Sequence, residues 1–296
     1  MLRNARRNFP QPLWQGEAFD GARILLHAEQ GLGDTIQFLR YVPTVAARGA
    51  KVILEVPCEL RRLVDGIEGV AEIVARGTRL PDFQWHSPLL SLPRAFRTEL
   101  DSIPGNVPYL RADSTFVQQF TQNFLTQPGN DRLRIGLVWS GSPRHTRDPQ
   151  RSMSLAQLRA LTDIPRTAFY SLQKGPAAKQ VLDMPMEMNL IDLAPHLNDF
   201  ADTAAALANL DLLITVDTAV AHLAGALGKP VWVMLTHNPD WRWLLDRGDS
   251  PWYPSARLFR QSAANDWTSV IDRVHTELRQ FTFAPPQDAA TRRWPG

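Results

Sequence analysis

A strand–helix–strand unit in the last third of the chain most constrains the fold. The apolar, partly β-branched run Leu212–Val216 predicts a buried strand, and Val231–Leu235 predicts another. The Ala/Leu-rich segment between them, which begins after Asp217 and ends at Gly228, predicts a helix. Two buried strands joined by a helix are typical of a parallel sheet with a right-handed crossover. The chain is therefore predicted to have an α/β fold.

The first turn of this helix is the first candidate binding site. It is predicted at the carboxyl end of a parallel strand, where free backbone N–H groups and the positive end of the helix dipole favour an anion. Asp217 adds a carboxylate for hydroxyl groups and His222 adds an imidazole, so a sugar diphosphate is the predicted ligand. The alternative interpretation is structural, with Asp217 as an N-cap and His222 as a hydrogen-bonded core histidine.

The remaining chain repeats the alternation of short apolar runs and helical patterns. Strands are predicted over residues 23–28, 52–56, 70–75, 83–86, 133–139, 168–172 and 190–192. Helices are predicted over residues 34–48, 115–125, 154–161, 199–208 and 267–281. The Pro/Gly-containing polar segment 126–131 predicts a linker. We therefore predict two Rossmann-like domains, residues 1–128 and 129–296, whose parallel sheets face a central cleft. The last helix is a candidate to pack back on the first domain.

Composition excludes several classes of protein. The 296 residues suffice for two domains, and a net charge of +2 does not call for a nucleic-acid partner. The single cysteine, Cys58, excludes an intrachain disulfide and fits a reducing compartment. Without an apolar segment of membrane-spanning length, we expect a cytoplasmic protein with at most peripheral membrane contact. The histidines lack metal-ligand spacing, so no metal site is expected and a diphosphate would be held by amides, Arg and Lys.

A second candidate site is the loop Gly31-Leu32-Gly33-Asp34, which follows a predicted strand and opens a helix. Gly31 and Gly33 allow the backbone to approach a ligand closely. Asp34 offers a carboxylate that can accept a proton from a hydroxyl nucleophile. The alternative is that Asp34 is only the N-cap of its helix. The spacing does not match the dinucleotide-binding fingerprint.

Two strand-end loops of the second half supply further polar groups. Ser140 and Gly141 are small enough to leave room for phosphate oxygens, and Arg151 can bind a diphosphate bidentately. Gln173 and Lys174 follow the next predicted strand and fit sugar hydroxyls. The candidate ligand-binding residues of these loops are Trp139, Ser140, Gly141, Arg151, Gln173 and Lys174.

Four segments together resemble the heptosyltransferase-like glycosyltransferases of family 9: His27–Gln37, Gly136–Gly141, Ser171–Gly175 and Asp217–Pro230. The resemblance spans residues 9–279 and is strongest to the catalytic module of bacterial tetratricopeptide-repeat proteins. It implies the two-domain GT-B fold, a nucleoside-diphosphate sugar as donor, no cofactor and no metal in the chemical step.

The resemblance also implies roles for individual residues. Asp34 matches the family's general base, and Asp217 matches the carboxylate that holds donor-sugar hydroxyls. Arg151 falls where the family usually has a lysine near the donor phosphate. The remaining donor-side positions are the diphosphate-binding helix start (Thr218, Ala219, Val220 and His222) and the base pocket (Leu193 to Asn198).

The predicted function is inverting, metal-independent transfer of a hexosyl or heptosyl group from a nucleotide sugar to an acceptor hydroxyl. The acceptor would be a glycan, a lipid-linked glycan or a protein. Two alternatives stay open at this point: a non-catalytic nucleotide-sugar-binding or scaffold module that keeps the GT-B fold, and a GT-B-like sugar-nucleotide epimerase. An epimerase would be expected to carry additional carboxylates and histidines in the cleft.

Overall fold

The computed structural model describes residues 7–124, 132–185 and 188–283, which form two separate parallel sheets. The first sheet has four strands: β1 (Arg23–His27), β2 (Lys51–Val56), β3 (Val70–Ala75) and β4 (Trp85–Pro88). The second sheet has six: β5 (Leu133–Val138), β6 (Thr167–Ser171), β7 (Leu190–Asp192), β8 (Leu212–Val216), β9 (Val231–Leu235) and β10 (Ala256–Arg260). Neighbouring strands within each sheet are parallel, which confirms the predicted α/β class.

Helices connect most of these strands. They are α1 (Leu32–Phe38), α2 (Val42–Ala46), α3 (Leu92–Ala95), α4 (Ser114–Phe124), α5 (Asp148–Arg151), α6 (Arg159–Thr162), α7 (Phe200–Ala208), α8 (Ala219–Ala226) and α9 (Trp267–Phe283). The single helix predicted over residues 34–48 is divided into α1, a 3₁₀ turn and α2, which has a proline in its first turn. Within the described ranges no helix is both long and apolar enough to cross a membrane.

The order of the strands fixes where each sheet can bind a ligand. In the first sheet the order is β3-β2-β1-β4. Strands β2 and β3 are added on one side of β1 and β4 on the other, so the strand order reverses between β1 and β4. In the second sheet the order is β10-β9-β8-β5-β6-β7, and the change falls between β5 and β8. Open α/β sheets bind ligands outside the carboxyl ends of the two strands at such a switch point. The loops after β1, β4, β5 and β8 are therefore the places to look for a site.

Strand β10 was missed by the sequence prediction, which ended the second sheet at β9. β10 pairs with β9 along its whole length, from Ala256 opposite Val231 to Arg260 opposite Leu235. It is an edge strand that carries arginines, and Arg257 donates two hydrogen bonds of 2.7 Å to Glu277 of α9. An edge strand whose outer face is polar lacks the continuous apolar run that marks a buried parallel strand.

Helix α9 packs on the second sheet over its described length. Its residues Val270, Val274 and Leu278 are fully buried in one cluster with Trp232 and Met234 of β9. The expectation that this helix returns to the first domain therefore does not hold for the described residues. The reason is that β9 and β10 present an apolar face that α9 covers.

The two sheets are held together by a shared core and by contacts between loops. One buried cluster includes side chains from β1 and β2 as well as from β8, β9 and α8. The amides of Tyr109 and Leu110 both donate to the carbonyl of Ala226, at 3.1 and 3.3 Å. The predicted linker at residues 126–131 lies outside the described residues, so the domain boundary near residue 128 stays a prediction.

Candidate active site

Helix α8 begins with an uncapped turn at the carboxyl end of β8. Thr218 is the N-cap residue, but its side chain makes no capping hydrogen bond. Its hydroxyl lies 3.1 Å from the hydroxyl of Thr215 instead. Ala219 and Val220, at the first two helical positions, are partly exposed. The first-turn amides therefore keep the capacity to bind an anion, and Asp217 is not the cap that the alternative interpretation required.

The carboxylate of Asp217 lies among several charged groups. Burial raises the pKa of Asp217 above its ordinary value, and Arg151 is the strongest influence in the opposite direction. Asp240 raises this pKa as well, and Arg242 lowers it. Three charged side chains from two segments, those that follow β5 and β9, thus act on the residue that follows β8. Such a convergence at a switch point is typical of a functional site.

Arg151 is held across the end of β5. Its Nε lies 3.3 Å from Oδ1 of Asp148, and the amide of Gly141 donates to Ser152 Oγ at 2.9 Å. A Cβ on Gly141 would lie 2.5 Å from Nη2 of Arg151 and 2.6 Å from the Asp148 carboxylate. Only glycine at position 141 therefore lets the guanidinium approach this loop. Arg151 and Asp217 then flank the switch point between β5 and β8.

Two predicted ligand-binding residues near the end of β5, Trp139 and Gln173, direct their side chains to the core or the backbone of the protein. The indole of Trp139 is fully buried in the core beneath β5, so only its backbone reaches the loop. Oε1 of Gln173 accepts the amides of Trp139 and Ser140, at 3.0 and 2.8 Å. Its Nε2 donates to the carbonyls of Ser140 and Lys174, at 3.0 and 2.8 Å. Because the Gln173 amide is used within the protein, this residue holds the loop that carries Ser140.

The predicted base-pocket residues lie around the loop after β7. Leu193 is buried, and its amide donates to Ser171. The side chain of Asn198 donates to Asp202 at 3.0 Å. Lys174 Nζ donates to the carbonyl of Ala194 at 2.8 Å, which joins the loops after β6 and β7. The loops after β6 and β7 therefore form one continuous edge of the sheet. Contact of these residues with a nucleotide base stays a prediction.

His222 lies in the core between the two sheets. Its Nδ1 is 2.9 Å from the hydroxyl of Tyr253, and its ring stacks on Trp243 with centroids 5.4 Å apart. Burial, together with the positive charges of Arg242, Arg40 and Arg151, lowers the pKa of His222 to about 3. The imidazole is therefore neutral near pH 7. It adds no positive charge for a diphosphate, which agrees with the core-histidine alternative.

Gly33 of α1 packs directly against His222. A Cβ on Gly33 would lie 2.7 Å from His222 Cδ2 and 3.4 Å from Cα of Ala219. The missing side chain thus lets α1 of the first half approach α8 of the second. The sequence interpretation, close approach of a ligand, is replaced here by close approach of a helix.

Gly33→Ala is expected to destabilise the protein by about 1–2 kcal/mol, because overpacking a tight contact outweighs the better helix propensity of alanine. Equilibrium unfolding in urea measures this difference. Gly248→Ala is the matched control, because a Cβ at this exposed position would meet no atom within 4 Å. Equal stability of the two variants would contradict the role assigned to Gly33.

Asp34 stands at the third helical position of α1, after the N-cap Gly31. Its Oδ2 accepts the amide of Gly31 at 2.8 Å, so it has part of the capping role of the alternative interpretation. Its Oδ1 forms an ion pair with Nη2 of Arg242. About a fifth of its side chain, 19%, is exposed. Asp34 is therefore held at both oxygens and still reaches solvent.

Arg242 is the functional candidate that the sequence did not reveal. It follows β9, and its Nε donates to Gln37 Oε1 at 2.7 Å while Nη1 donates to Asp240 Oδ1 at 2.8 Å. Burial disfavours its charge, but Asp34 and Asp240 outweigh that and raise the pKa of Arg242. Asp34 and Arg242 are 208 residues apart in sequence, so no local spacing could have indicated the pair.

No group of three or more His, Cys, Asp or Glu residues that could hold a metal ion occurs in the part of the chain that the structure describes. Positive charge at the site comes from Arg151 and Arg242, together with the first turn of α8.

These contacts define a class of protein. Loops at the carboxyl ends of both parallel sheets meet, through Asp34 and Arg242 and through Gly33 and His222. Two Rossmann-like sheets whose ligand-binding edges face each other form the GT-B arrangement of glycosyltransferases, as the sequence predicted.

Comparisons with known proteins agree with this class. The sequence model of glycosyltransferase family 9 (heptosyltransferase) matches residues 172–264. Protein FlbA of Caulobacter vibrioides is 26% identical over 303 residues, which cover 93% of this chain and 49% of FlbA. This chain therefore spans about half the length of that relative.

Two solved structures share the fold. ADP-heptose lps heptosyltransferase II of E. coli has a TM-score of 0.65 and 15% identity, over 88% of this chain and 98% of that chain. E. coli heptosyltransferase WaaC with ADP-2-deoxy-2-fluoro heptose has a TM-score of 0.56 and 12% identity, over 88% and 99%. The predicted resemblance to family 9 is confirmed by the family model over residues 172–264, and the two structures confirm the fold.

Proposed function

We propose that this chain is an inverting glycosyltransferase that moves a sugar from a nucleoside-diphosphate sugar to an acceptor hydroxyl without a metal ion. The observation that carries the proposal is the meeting of two strand-end loops. Asp34, after β1, forms an ion pair with Arg242. The positive charge of Arg242 also lowers the pKa of Asp217, which lies just before the first turn of α8. A proton acceptor and an anion-binding turn are thus brought to one place from two sheets.

On the donor side, the diphosphate lies at the first turn of α8. The amides of Ala219 and Val220 and the guanidinium of Arg151 take up its negative charge, which increases when the sugar leaves. The half-buried carboxyl of Asp217 accepts hydrogen bonds from sugar hydroxyls. Neutral His222 supports this turn from below by packing against Gly33 and Tyr253.

On the acceptor side, Asp34 acts as the general base. The acceptor oxygen attacks the anomeric carbon while its proton passes to the Asp34 carboxylate. The bond between the anomeric carbon and the phosphate oxygen breaks, and its electron pair leaves with the nucleoside diphosphate. One displacement of this kind inverts the anomeric configuration. Arg242 orients the carboxylate through Oδ1, and the Gly31 amide orients it through Oδ2.

Donor binding provides the first test. A nucleoside diphosphate is expected to stabilise the protein without added metal, by about 2.7 kcal/mol at a concentration one hundred times its Kd. Thermal-shift measurements with ADP, GDP, UDP and CDP, with and without EDTA, detect this effect. ADP is the natural first choice because the neighbour WaaC was solved with an ADP-sugar. Loss of stabilisation in EDTA would contradict metal-independent binding.

Arg151→Ala is expected to weaken diphosphate binding about tenfold to a hundredfold, because it removes hydrogen bonds to a charged group. Arg144→Ala is the matched control, since Arg144 is an exposed arginine near the start of the same loop. Isothermal titration calorimetry compares the two variants. Equal affinities would show that Arg151 does not contact the diphosphate.

A further inference from the structure

Trp241 is an exposed aromatic residue beside the proposed base, and the proposed mechanism does not use it. It follows β9 and begins a 3₁₀ turn, Trp241–Trp243, that also carries Arg242. Trp241 is 57% exposed, whereas the other tryptophans of the described residues are buried or partly buried. A single exposed apolar residue needs no explanation by itself. The position of this one, next to Arg242, does.

The indole ring of Trp241 is linked to Asp34 through one guanidinium group. Cζ of Arg242 lies 4.7 Å from the centroid of the ring, and Nη2 of Arg242 forms the ion pair with Oδ1 of Asp34. The ring of Trp252 meets Trp241 nearly edge-on, with centroids 6.0 Å apart and an angle of 80° between the planes. Arg242 and Trp252 thus hold the ring, and its open part lies one side chain away from the proposed proton acceptor.

The turn that carries the ring is fixed before any ligand arrives. Oδ1 of Asp240 accepts both the amide of Arg242, at 3.1 Å, and its Nη1, at 2.8 Å. Leu244 ends the turn with φ of 52° and ψ of −169°, a strained conformation that residues other than glycine rarely adopt and that clusters at ligand-binding sites. An indole held in this way offers a large contact area at a small cost in conformational entropy.

Trp241 lies on the acceptor side of the diphosphate-binding turn. In the second sheet the strands run in the order β9-β8-β5-β6-β7 from this end. Trp241 follows β9, the first turn of α8 follows β8, and the predicted base pocket follows β7. Three strands therefore separate the ring from the base pocket, so a nucleotide held there does not cover the ring. Arg242 instead connects the ring to Asp34 of the first sheet.

The surroundings of the ring favour a sugar over a lipid chain. Leu245 is the other exposed apolar residue of this segment, but exposed Asp246 and Asp249 follow it directly, so the apolar surface is not continuous. The Asp240 side chain, next to Trp241 in sequence, is 38% exposed. A pyranose has a face of C–H groups that packs on an indole, and its hydroxyls bond to charged groups around the ring. One flat apolar surface among charged side chains suits both.

We propose that Trp241 stacks on a sugar of the acceptor, and that the acceptor is a glycan of at least two sugar units. One unit presents its hydroxyl to Asp34. Because the guanidinium of Arg242 separates Asp34 from the ring, the unit that stacks on Trp241 is the neighbouring one. This inference rests on the proposed function, since it takes Asp34 as the place of attack. It makes Trp241 a specificity-determining residue that favours a glycan over a single sugar.

Stacking is tested by saturation-transfer-difference NMR, which needs no turnover. The probes are the methyl glycosides of cellobiose, lactose and mannobiose, each compared with the methyl glycoside of its terminal sugar. At least one disaccharide is expected to bind wild type about fivefold to tenfold more tightly than its monosaccharide. Trp241→Ala is expected to remove this preference. Absence of any preference that depends on Trp241 would overturn the proposal.

Two further variants separate stacking from apolar contact. Trp241→Phe keeps a flat ring and is expected to retain most of the preference, whereas Trp241→Leu is expected to behave as Trp241→Ala does. Leu100→Ala removes an exposed apolar side chain of the first half and is expected to bind as wild type does. Wild-type binding by Trp241→Leu would overturn stacking. Binding of an acetylated Ser/Thr peptide that depends on Trp241, with no such binding of a disaccharide, would overturn the glycan assignment in favour of a protein acceptor.

Failure of this inference differs from failure of the proposed function. Trp241→Ala is expected to bind ADP as wild type does, because the diphosphate-binding turn follows β8. If wild type hydrolyses a nucleotide sugar but no disaccharide binds through Trp241, only the acceptor assignment fails. If wild type binds no nucleoside diphosphate and hydrolyses no nucleotide sugar, the proposed function fails, and the role of Trp241 in transfer fails with it even where a disaccharide binds.

Discussion

Asp34→Asn is expected to lower transfer, or hydrolysis of the nucleotide sugar, by about 10²–10⁴-fold, the usual contribution of general acid–base catalysis. Asparagine still accepts the Gly31 amide and caps a helix about as well as aspartate. It cannot take a proton from the acceptor hydroxyl. Nucleoside diphosphate affinity is therefore expected to stay close to wild type, because the donor binds at α8. Steady-state hydrolysis and calorimetric titration on the same preparation measure both quantities.

Asp113→Asn is the matched control for this variant. Asp113 caps α4 by accepting the amides of Thr115 and Phe116, at 2.8 and 3.1 Å. It is a helix-capping aspartate with no assigned role in the reaction. If both variants turn over like wild type, Asp34 is a cap and the proposed mechanism is wrong. If the wild-type protein binds a nucleotide sugar but never turns it over, a non-catalytic binding module is the better interpretation.

Arg242→Met is expected to reduce the free energy of unfolding by about 2–4 kcal/mol, the lower part of the range for breaking a buried ion pair because its carboxylates are partly solvated. Only 10% of the Arg242 side chain is exposed, against 19% for Asp34 and 38% for Asp240. Methionine keeps much of the apolar stem but leaves both carboxylates and Gln37 without this donor. Turnover is expected to fall as well, since Asp34 loses the group that orients it. Urea unfolding followed by tryptophan fluorescence measures the stability change.

Arg247→Met provides the comparison within the same region of the chain. Arg247 pairs with Asp249 at 2.6 Å, but the Asp249 side chain is 65% exposed. An exposed ion pair of this kind contributes about 0–1 kcal/mol, so this variant is expected to unfold nearly as wild type does. If the two arginine variants lose equal stability, the contact between Arg242 and Asp34 is not a structural link between the two halves.

Combining the Asp34 and Arg242 variants tests whether these two residues are energetically coupled between the two halves of the protein. In a double-mutant cycle, Asp34→Asn and Arg242→Met are expected to be strongly non-additive in stability, because the residues are in direct contact. Additive effects would mean that each residue acts through its other partners, Gly31 for Asp34 and Asp240 for Arg242.

Most of the fold follows from the order of residues along the chain. The predicted strands 190–192, 212–216 and 231–235 have the bounds that the structure shows. Strands buried on both faces leave continuous apolar runs, and these are local signals. β10 leaves no such run because it is an edge strand, and the long helix predicted after β1 is interrupted by the 3₁₀ turn that precedes α2.

The residues at the ends of the strands were also predictable. Asp34 and Asp217 follow apolar runs, and a strand's carboxyl end is where an α/β sheet binds ligands. What the sequence could not decide was the direction of individual side chains. Trp139 points into the core, and Gln173 binds backbone rather than solvent.

The sequence by itself therefore determined the two parallel sheets and the loops in which chemistry is to be sought. Only the tertiary structure decided which of those loops meet. The pairing of Asp34 with Arg242, and of Gly33 with His222, depends on how one sheet packs against the other. Periodic burial along a strand or helix is a local property, whereas a contact across two packed sheets joins residues that no spacing relates.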